Sequence, residues 1–488
     1  KARQLKTSIL RHSGETEKAL KFIEESLTID KFNLGCRFEK YFIGNNLTEL
    51  QEMTSMLNGS VHNYIEYAFD FASAGMYEEA SQIMHIYMEG RTDVYPMAAY
   101  MLGYFASRSG NEEVARQWYQ KAQSLSPDKC FPNRIDEINV LTDAMRMNPA
   151  DYKAPYYLGN FWYAHRRYEE AISCWEKSVE INNQFPTALR NLSLAYYNKR
   201  NKKEEARQLL EKAFELDKTD SRIFMELDQL YKKMGRAHVE RLALLEEHLD
   251  LVEQRDDLCI ERITLYNLLG DYEKAKDLIS NRKFHPWEGG EGKVTGQYIL
   301  CRVELAKKAI KENRYSEAVA LLKETEFYPH NLGEGKLSNA EENEVDYYKG
   351  IAYQKLGNDA ESTKYLMKAT QGSTEPQQAF YYNDQQPDKI FYQGLAWRAL
   401  GEENKARSRF NKLIDHGKKH LFDDCKIDYF AVSLPELAIW EDNLNIRNQI
   451  HCYYVMALGY SGLGKEELAE EYYEKVKRLD VNKQVFRM

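Results

Sequence analysis

The feature that most constrains this 488-residue chain is a set of small residues that recurs at one spacing. Gly103, Ala115 and Tyr119 form one copy, and the same spacing returns at Gly159, Ala171 and Trp175 and again at Gly394, Ala406 and Phe410. A small residue on one helix that faces a small residue on the next lets two backbones approach closely. A generic helical bundle does not repeat such residues at a fixed period, so the spacing predicts an array of helix hairpins.

Turn residues between the two helices of each hairpin support this prediction. Glycine can adopt the left-handed conformation that ends many helices, and it stands at the predicted turns Gly75, Gly110, Gly235, Gly270, Gly357, Gly401 and Gly464. Acidic residues then open the second helix near its positive end, as in Tyr77–Ala80 and Tyr168–Ala171.

This pattern resembles the tetratricopeptide repeat, a helix–turn–helix unit of about 34 residues. The resemblance implies an all-α, right-handed α-solenoid of about eleven hairpins. Because no hairpin buries its apolar face alone, each must stack on its neighbours. We expect a partial first repeat, a degenerate region at 33–60, and an unpaired extra helix at Arg134–Met147.

Composition excludes several classes of protein. Hydrophobic residues make up 43% of the chain, which excludes global disorder, and a net charge of −9 argues against nucleic acid as a partner. No apolar run is long enough to span a membrane. Seven widely spaced cysteines without a Cys-x-x-Cys motif argue against disulfides and zinc, and they favour a reducing, cytoplasmic location. The polar start Lys1–Lys6 lacks a methionine, which predicts no signal peptide and either a piece of a longer protein or a mature product.

The links between repeats divide the chain into two parts. Residues 1–284 have short links, whereas 285–488 continue the array with long insertions. The insertions are Phe284–Gly296, Phe327–Glu342, Gln371–Pro387 and His420–Asn443, with an extra short helix expected at Phe430–Leu437. All four join the second helix of one repeat to the first helix of the next, so we expect them to be neighbours along one edge.

The insertions carry a closer resemblance, through the segments Phe284–Tyr298, Asn331–Lys336, Tyr381–Gln385, Asp388–Leu395 and Ile427–Pro435. They resemble an uncharacterised bacterial family in which a galactose-mutarotase-like β-sandwich precedes a tetratricopeptide array. The resemblance implies that this chain is the array without its N-terminal sandwich. It brings no catalytic residues, and it associates the chain with carbohydrate metabolism.

A search for catalytic motifs yields no catalytic residues, no metal ligands and no cofactor. Gly290–Lys293 and Gly333–Lys336 resemble phosphate loops, but Val294 and Leu337 stand where a Ser or Thr is required. Glu288 and Glu291 lie near His285 and Trp287, which leaves two interpretations open. They are a carboxylate pair beside a sugar-stacking indole, or acids and an aromatic residue that shape a tight loop.

Two surfaces are candidate binding sites. One is the insertion edge, with His285, Trp287, Glu288, Glu291, Glu334, Tyr381, Asp384 and Tyr429. The other is the concave groove of first helices, with Tyr100, Tyr104, Tyr156, Asn160, Tyr163, Asn191 and Arg222. Repeat position places Tyr156 on the groove and Tyr196 in the core. Asn160, Asn191 and Arg222 fill three of five positions of a carboxylate clamp, but Glu226 at another position would repel a carboxylate.

The sequence therefore predicts a non-catalytic scaffold that binds a protein partner or its own N-terminal sandwich domain. Tyrosine and tryptophan on both surfaces suit such recognition. The alternative is the accessory half of a carbohydrate-active bacterial enzyme, whose insertion loops contribute to a sugar site. Self-association through the tyrosine-rich surfaces is a third possibility.

Overall fold

All regular structure in the described part of the chain is helical, which confirms the all-α prediction. The computed structural model describes residues 1–287, 289–338, 340–379, 386–426 and 439–484, and these form 26 α-helices and two short 3-10 helices. They belong to two compact units, Lys1–Lys202 and Lys203–Met488. The short helix predicted at Phe430–Leu437 lies outside the described residues.

Unit 1 consists of five helix pairs, one extra helix and a final helix. The bounds are α1 Ala2–His12, α2 Thr16–Ile29, α3 Leu34–Gly44, α4 Leu47–Leu57, α5 Val61–Ser73, α6 Tyr77–Met88, α7 Pro96–Arg108, α8 Glu112–Ser124, α9 Asp136–Met147, α10 Lys153–Ala164, α11 Tyr168–Ile181 and α12 Pro186–Arg200. The helix α9 packs against both α7 and α10 without a hairpin partner, which confirms the predicted extra helix. The degenerate region forms the pair α3 and α4, although it lacks the repeat's residue pattern.

Unit 2 begins with α13 and continues with six helix pairs, one of which includes the short α16. The bounds are α13 Lys203–Leu216, α14 Ser221–Lys233, α15 His238–Glu247, α16 Leu249–Val252, α17 Asp256–Leu268, α18 Tyr272–Asn281, α19 Lys293–Lys311, α20 Tyr315–Lys323, α21 Asn343–Lys355, α22 Asp359–Ala369, α23 Pro387–Ala399, α24 Glu403–His420, α25 Leu444–Gly462 and α26 Glu466–Leu479. The first helices of successive pairs pack side by side, α17 on α19, α19 on α21, α21 on α23 and α23 on α25. With the five pairs of unit 1, the described residues contain eleven pairs within units, in agreement with the predicted number.

Glycines on the first helices allow the close approach that the spacing predicts, but their contact is with the large residue of the same hairpin. A Cβ on Gly103 would lie 2.5 Å from the ring of Tyr119, and one on Gly394 would lie 2.4 Å from the ring of Phe410. A ring of this size can also reach beyond its own hairpin. Tyr119 does both, since its hydroxyl also donates to Asp143 of α9 at 2.6 Å.

The four long links meet their neighbours in sequence, which confirms that they share an edge. The amide of Phe284 donates to the carbonyl of Asn331 at 2.7 Å and joins the first two links. Ser373 of the third link donates to Glu341 of the second. The third and fourth links meet where Gln378 contacts Cys425.

Candidate functional site

Two tyrosines of the predicted groove lie inside unit 1, not on its surface. Tyr100 is fully buried and its hydroxyl donates to Asp151 at 2.8 Å. Tyr156 is buried against Phe185, with ring centroids 4.9 Å apart, so its predicted place on the groove is wrong. Tyr196, predicted in the core, is only half-buried, because its hydroxyl reaches Glu176 at the side of α11.

The remaining groove residues of unit 1 are half-buried and form part of a polar strip. Asn191 donates from its side-chain amide to the side-chain oxygen of Asn160 at 3.0 Å. The indole of Trp175 donates to the same oxygen at 3.2 Å. Tyr104 and Tyr163 are also half-buried, so these four residues retain surface that a ligand could contact.

Arg222, the third position of the predicted clamp, lies in unit 2 and already has an acidic neighbour. Its Nε donates to Glu226 at 3.0 Å, and the carboxyl of Glu226 is fully buried. The acid that argued against a carboxylate ligand is therefore paired with the very arginine that was expected to bind one.

On the insertion edge, the described residues mainly hold the links in shape. His285 contacts Asp256 through both its backbone N–H and its ring. Glu334 accepts from the backbone N–H of Gly292 at 3.1 Å, and burial raises the pKa of its carboxyl. Trp287 lies over Gly290, where a Cβ would come within 2.2 Å of the indole. Glu291 is exposed, and Glu288, Tyr381, Asp384 and Tyr429 lie outside the described residues.

A cluster of four charged residues, of which Asp228 and Arg241 are buried, lies where α14, α15 and α17 meet at the start of unit 2. Arg241 is fully buried and makes a bidentate ion pair with Asp228. Its Nε donates to Oδ1 at 3.0 Å and its Nη2 donates to Oδ2 at 2.7 Å. The same arginine donates to Glu261 at 2.7 Å, and Lys232 donates to both oxygens of Glu261 at 2.9 Å. Burial alone would raise the pKa of Glu261, but Lys232 and Arg241 outweigh it and lower that pKa.

The side chain of Asn482 lies on this cluster and completes its hydrogen bonds. Its amide nitrogen donates to the carbonyl of Lys232 at 3.0 Å. Its oxygen accepts from Arg241 at 3.2 Å and from His238 at 3.2 Å. Burial lowers the pKa of His238, so the ring donates as a neutral imidazole at pH 7. A carboxamide from a non-helical segment is thus held by groups about 250 residues away in sequence.

Residues on either side of Asn482 extend these contacts along the first helices. We call Asp480–Gln484 the return segment. Gln484 and Gln297 of α19 exchange two side-chain hydrogen bonds, at 3.0 and 3.1 Å. Lys483 lies 5.2 Å from the ring centre of Tyr454 on α25. The return segment therefore contacts helices from both ends of unit 2.

A second non-helical segment lies on the same surface. The indole of Trp440 is buried and donates to the carbonyl of Glu226 at 3.1 Å, and Asp442 pairs with Lys233. We call the surface formed by Glu226, Lys232, Arg241, Gln297 and Tyr454 the inner surface of unit 2. Sequence reasoning missed it, because Trp440 lies in an insertion outside the repeat period and the period does not show that Asn482, just after the last helix, contacts α14.

Comparison with known families places repeat units within this architecture. Residues 98–129 and 450–482 match one tetratricopeptide repeat model, and residues 187–216 match another. The chain contains tetratricopeptide repeats. The matches lie in both units, over α7 with α8, over α12 with α13, and over α25 with α26. Among the described helices, none is both long and apolar enough to cross a membrane.

Several solved structures are similar to this chain. The tetratricopeptide domain of P58(IPK) is 12% identical, with a TM-score of 0.27 over 95% of this chain and 98% of that one. A thermophilic tetratricopeptide protein of Thermus thermophilus is 18% identical, with a TM-score of 0.24 over 42% of this chain and 98% of that one. MamA from Desulfovibrio magneticus RS-1 is 18% identical, with a TM-score of 0.24 over 40% and 95%.

Proposed function

We propose that this chain is a non-catalytic scaffold whose repeat surfaces bind extended polypeptide. One observation carries the proposal, namely that the inner surface of unit 2 already holds two non-helical segments of its own chain. Both are held by hydrogen bonds to helix carbonyl groups and by side-chain pairs. The extended surfaces that stacked repeats create are the surfaces on which such arrays bind partners. The half-buried residues Tyr104, Asn160, Tyr163 and Asn191 provide a second polar and aromatic surface in unit 1.

Selection of peptides on the full chain tests this proposal. A phage library of twelve-residue random peptides is panned on the chain, and enriched peptides are titrated by fluorescence anisotropy. We expect Gln297→Ala, on the inner surface, or Asn191→Ala, in unit 1, to weaken the enriched peptides at least about fivefold. The matched control Gln254→Ala, on an exposed turn, leaves their binding unchanged. Failure to enrich any peptide, or binding unaffected by both variants, contradicts the proposal.

The carbohydrate alternative rests on the resemblance of the insertions, and it is tested on the same chain. A panel of monosaccharides and oligosaccharides is titrated against the wild type and Trp287→Ala. Saturable binding that is lost in the variant supports a sugar site on the insertion edge. Absence of binding across the panel contradicts it. The contacts of His285 and Glu334 favour a structural role for this edge, because the ring of His285 ties its link to Asp256 of α17 and the carboxylate of Glu334 holds the backbone of Gly292.

A further inference from the structure

The charges beneath Asn482 cancel, and this decides which ligand the site suits. Lys232 and Arg241 are cationic, whereas Asp228 and Glu261 are carboxylates, and each charge has an opposite partner within 3.0 Å. A neutral group can be added to such a cluster without leaving a buried charge unpaired. A carboxylate would bring a fifth, uncompensated charge next to a cluster in which Asp228 and Arg241 are buried.

The hydrogen-bonding groups that remain point to the same ligand. Arg241 and His238 donate N–H groups to the side-chain oxygen of Asn482. The carbonyl of Lys232 accepts from the side-chain nitrogen of Asn482 at 3.0 Å. A carboxamide supplies an acceptor oxygen and a donor nitrogen in this arrangement. A carboxylate has no donor, so one of its oxygens would face the Lys232 carbonyl and be repelled.

We propose that Lys232, His238 and Arg241 form an asparagine-selective peptide site, which the chain fills with its own Asn482 and which a partner enters by displacing the return segment. This inference rests on the proposed scaffold function and names the chemistry of one of its surfaces. The partner is an extended peptide with an asparagine side chain at the position of Asn482. A glutamine two residues further along would reproduce the pair between Gln484 and Gln297.

The return segment is suited to exchange because few contacts hold it. Val481 is exposed, and Asn482, Lys483 and Gln484 are only half-buried. The segment is held on the inner surface mainly by the side-chain carboxamides of Asn482 and Gln484. An Asx turn, in which the backbone N–H of Asn482 donates to the side-chain carboxylate of Asp480 at 2.9 Å, shapes the segment locally. A competing peptide therefore needs to replace only a small number of hydrogen bonds.

The test uses the full chain and a fluorescein-labelled peptide that copies residues 478–484. The double variant Asn482→Ala, Gln484→Ala weakens the resident segment without touching any helix, and circular dichroism confirms its fold. We expect the peptide to bind this variant at least about tenfold more tightly than it binds the wild type, whose site is occupied. We also expect peptides with aspartate or alanine in place of the asparagine to bind the variant at least about tenfold more weakly.

Two results would overturn the inference. One is equal binding of the peptide to the wild type and the variant, because then the return segment does not occupy the site. The other is equal binding of the asparagine, aspartate and alanine peptides, because then the carboxamide is not read. If either occurs while peptides selected by panning still bind, the asparagine site fails and the scaffold function stands. If panning also yields no binders, both fail.

Discussion

The indole nitrogen of Trp440 donates to the main-chain oxygen of Glu226 at 3.1 Å, although 214 residues separate them in sequence. Trp440 belongs to the long link before α25, and Glu226 lies in the middle of α14. The contact ties a loop to the surface that also holds the return segment, so the inner surface of unit 2 is partly lined by non-helical chain.

Trp440→Phe should loosen this loop without unfolding the unit. Phenylalanine retains most of the buried ring but cannot donate, so we expect a loss of about 1 to 2 kcal/mol in the local opening free energy. Hydrogen exchange of the amides of α14 measures it. The matched control is Trp118→Phe in unit 1, whose half-buried indole packs on His85. Equal protection of α14 in Trp440→Phe and the wild type would show that the hydrogen bond contributes nothing.

Gly394→Ala tests the close packing within a hairpin. The new Cβ would come within 2.4 Å of the Phe410 ring, and both residues are in a tightly packed core, so we expect destabilisation of about 1 to 3 kcal/mol. Gly296→Ala is the control, because Gly296 lies in α19 with no atom within 4 Å of the added Cβ. Alanine there should stabilise the helix by about 0.5 to 1 kcal/mol. Urea unfolding of the two variants should move in opposite directions, and a shift of both in the same direction would contradict the packing account.

Acid should weaken the region around His451. Burial, reinforced by the nearby Lys483, His416 and Arg447, lowers the pKa of His451 to about 3, although its ring donates to the carbonyl of Gln377. The unfolded chain binds this proton below about pH 6.5 and the folded chain does not. Stability is therefore present at pH 7 and falls as the pH drops, by about 1.2 kcal/mol between pH 7 and 5.5.

The comparison variant for this pH dependence is His451→Gln, which keeps a donor but cannot titrate. Hydrogen exchange of α25 at pH 7 and 5.5, corrected for intrinsic rates, gives the local opening free energy. The wild type should lose about 1.2 kcal/mol more than the variant over this interval. The same loss in both proteins would mean that His451 is not the group responsible.

Asn331→Ala should loosen the second insertion from the end of α18. The side-chain amide of Asn331 donates to the carbonyls of Ile279 and Arg282, at 2.9 and 2.8 Å, from a link 49 or more residues away. Removing the donor leaves these carbonyls short of a partner, and we expect a cost of about 1 to 3 kcal/mol. The amide of Phe284, which donates to the Asn331 carbonyl, reports the loss by faster exchange. The control is Asn411→Ala, on the exposed face of α24, which should change the opening free energy of this amide by less than about 0.5 kcal/mol.

Contacts within one hairpin could be predicted from the sequence better than contacts between residues far apart in the chain. The spacing of Gly103, Ala115 and Tyr119 repeats within one hairpin, so the pattern predicted that the two helices approach closely, but not that the Tyr119 ring makes the contact with Gly103. The unpaired α9 was predictable because it interrupts the period. Tyr156 was predicted on the surface and is buried, whereas Tyr196 was predicted in the core and is half-buried. Periodicity identifies a face of a helix but not how far the neighbouring helix covers it.

The inner surface of unit 2 lies beyond such reasoning. Asn482 meets Lys232 only because six hairpins bring the end of the unit back to its beginning. Asn482 is the last residue of the repeat match at 450–482, but the repeat pattern does not show which distant helix its side chain contacts. The buried Arg241 could have been suspected only from its position next to the repeat core, since arginine on a helix is usually exposed.

Hydrogen exchange of residues 232–241 in the full chain, with and without Asn482→Ala, tests most directly whether the return segment occupies the inner surface. In the structure, Asn482 bonds to the carbonyl of Lys232 and to the side chains of His238 and Arg241. We predict that amides in this stretch exchange at least about fivefold faster in the variant, while those of α7 in unit 1 are unchanged. Identical exchange in the two proteins would contradict the account, because the segment would then contribute nothing to the surface on which it lies.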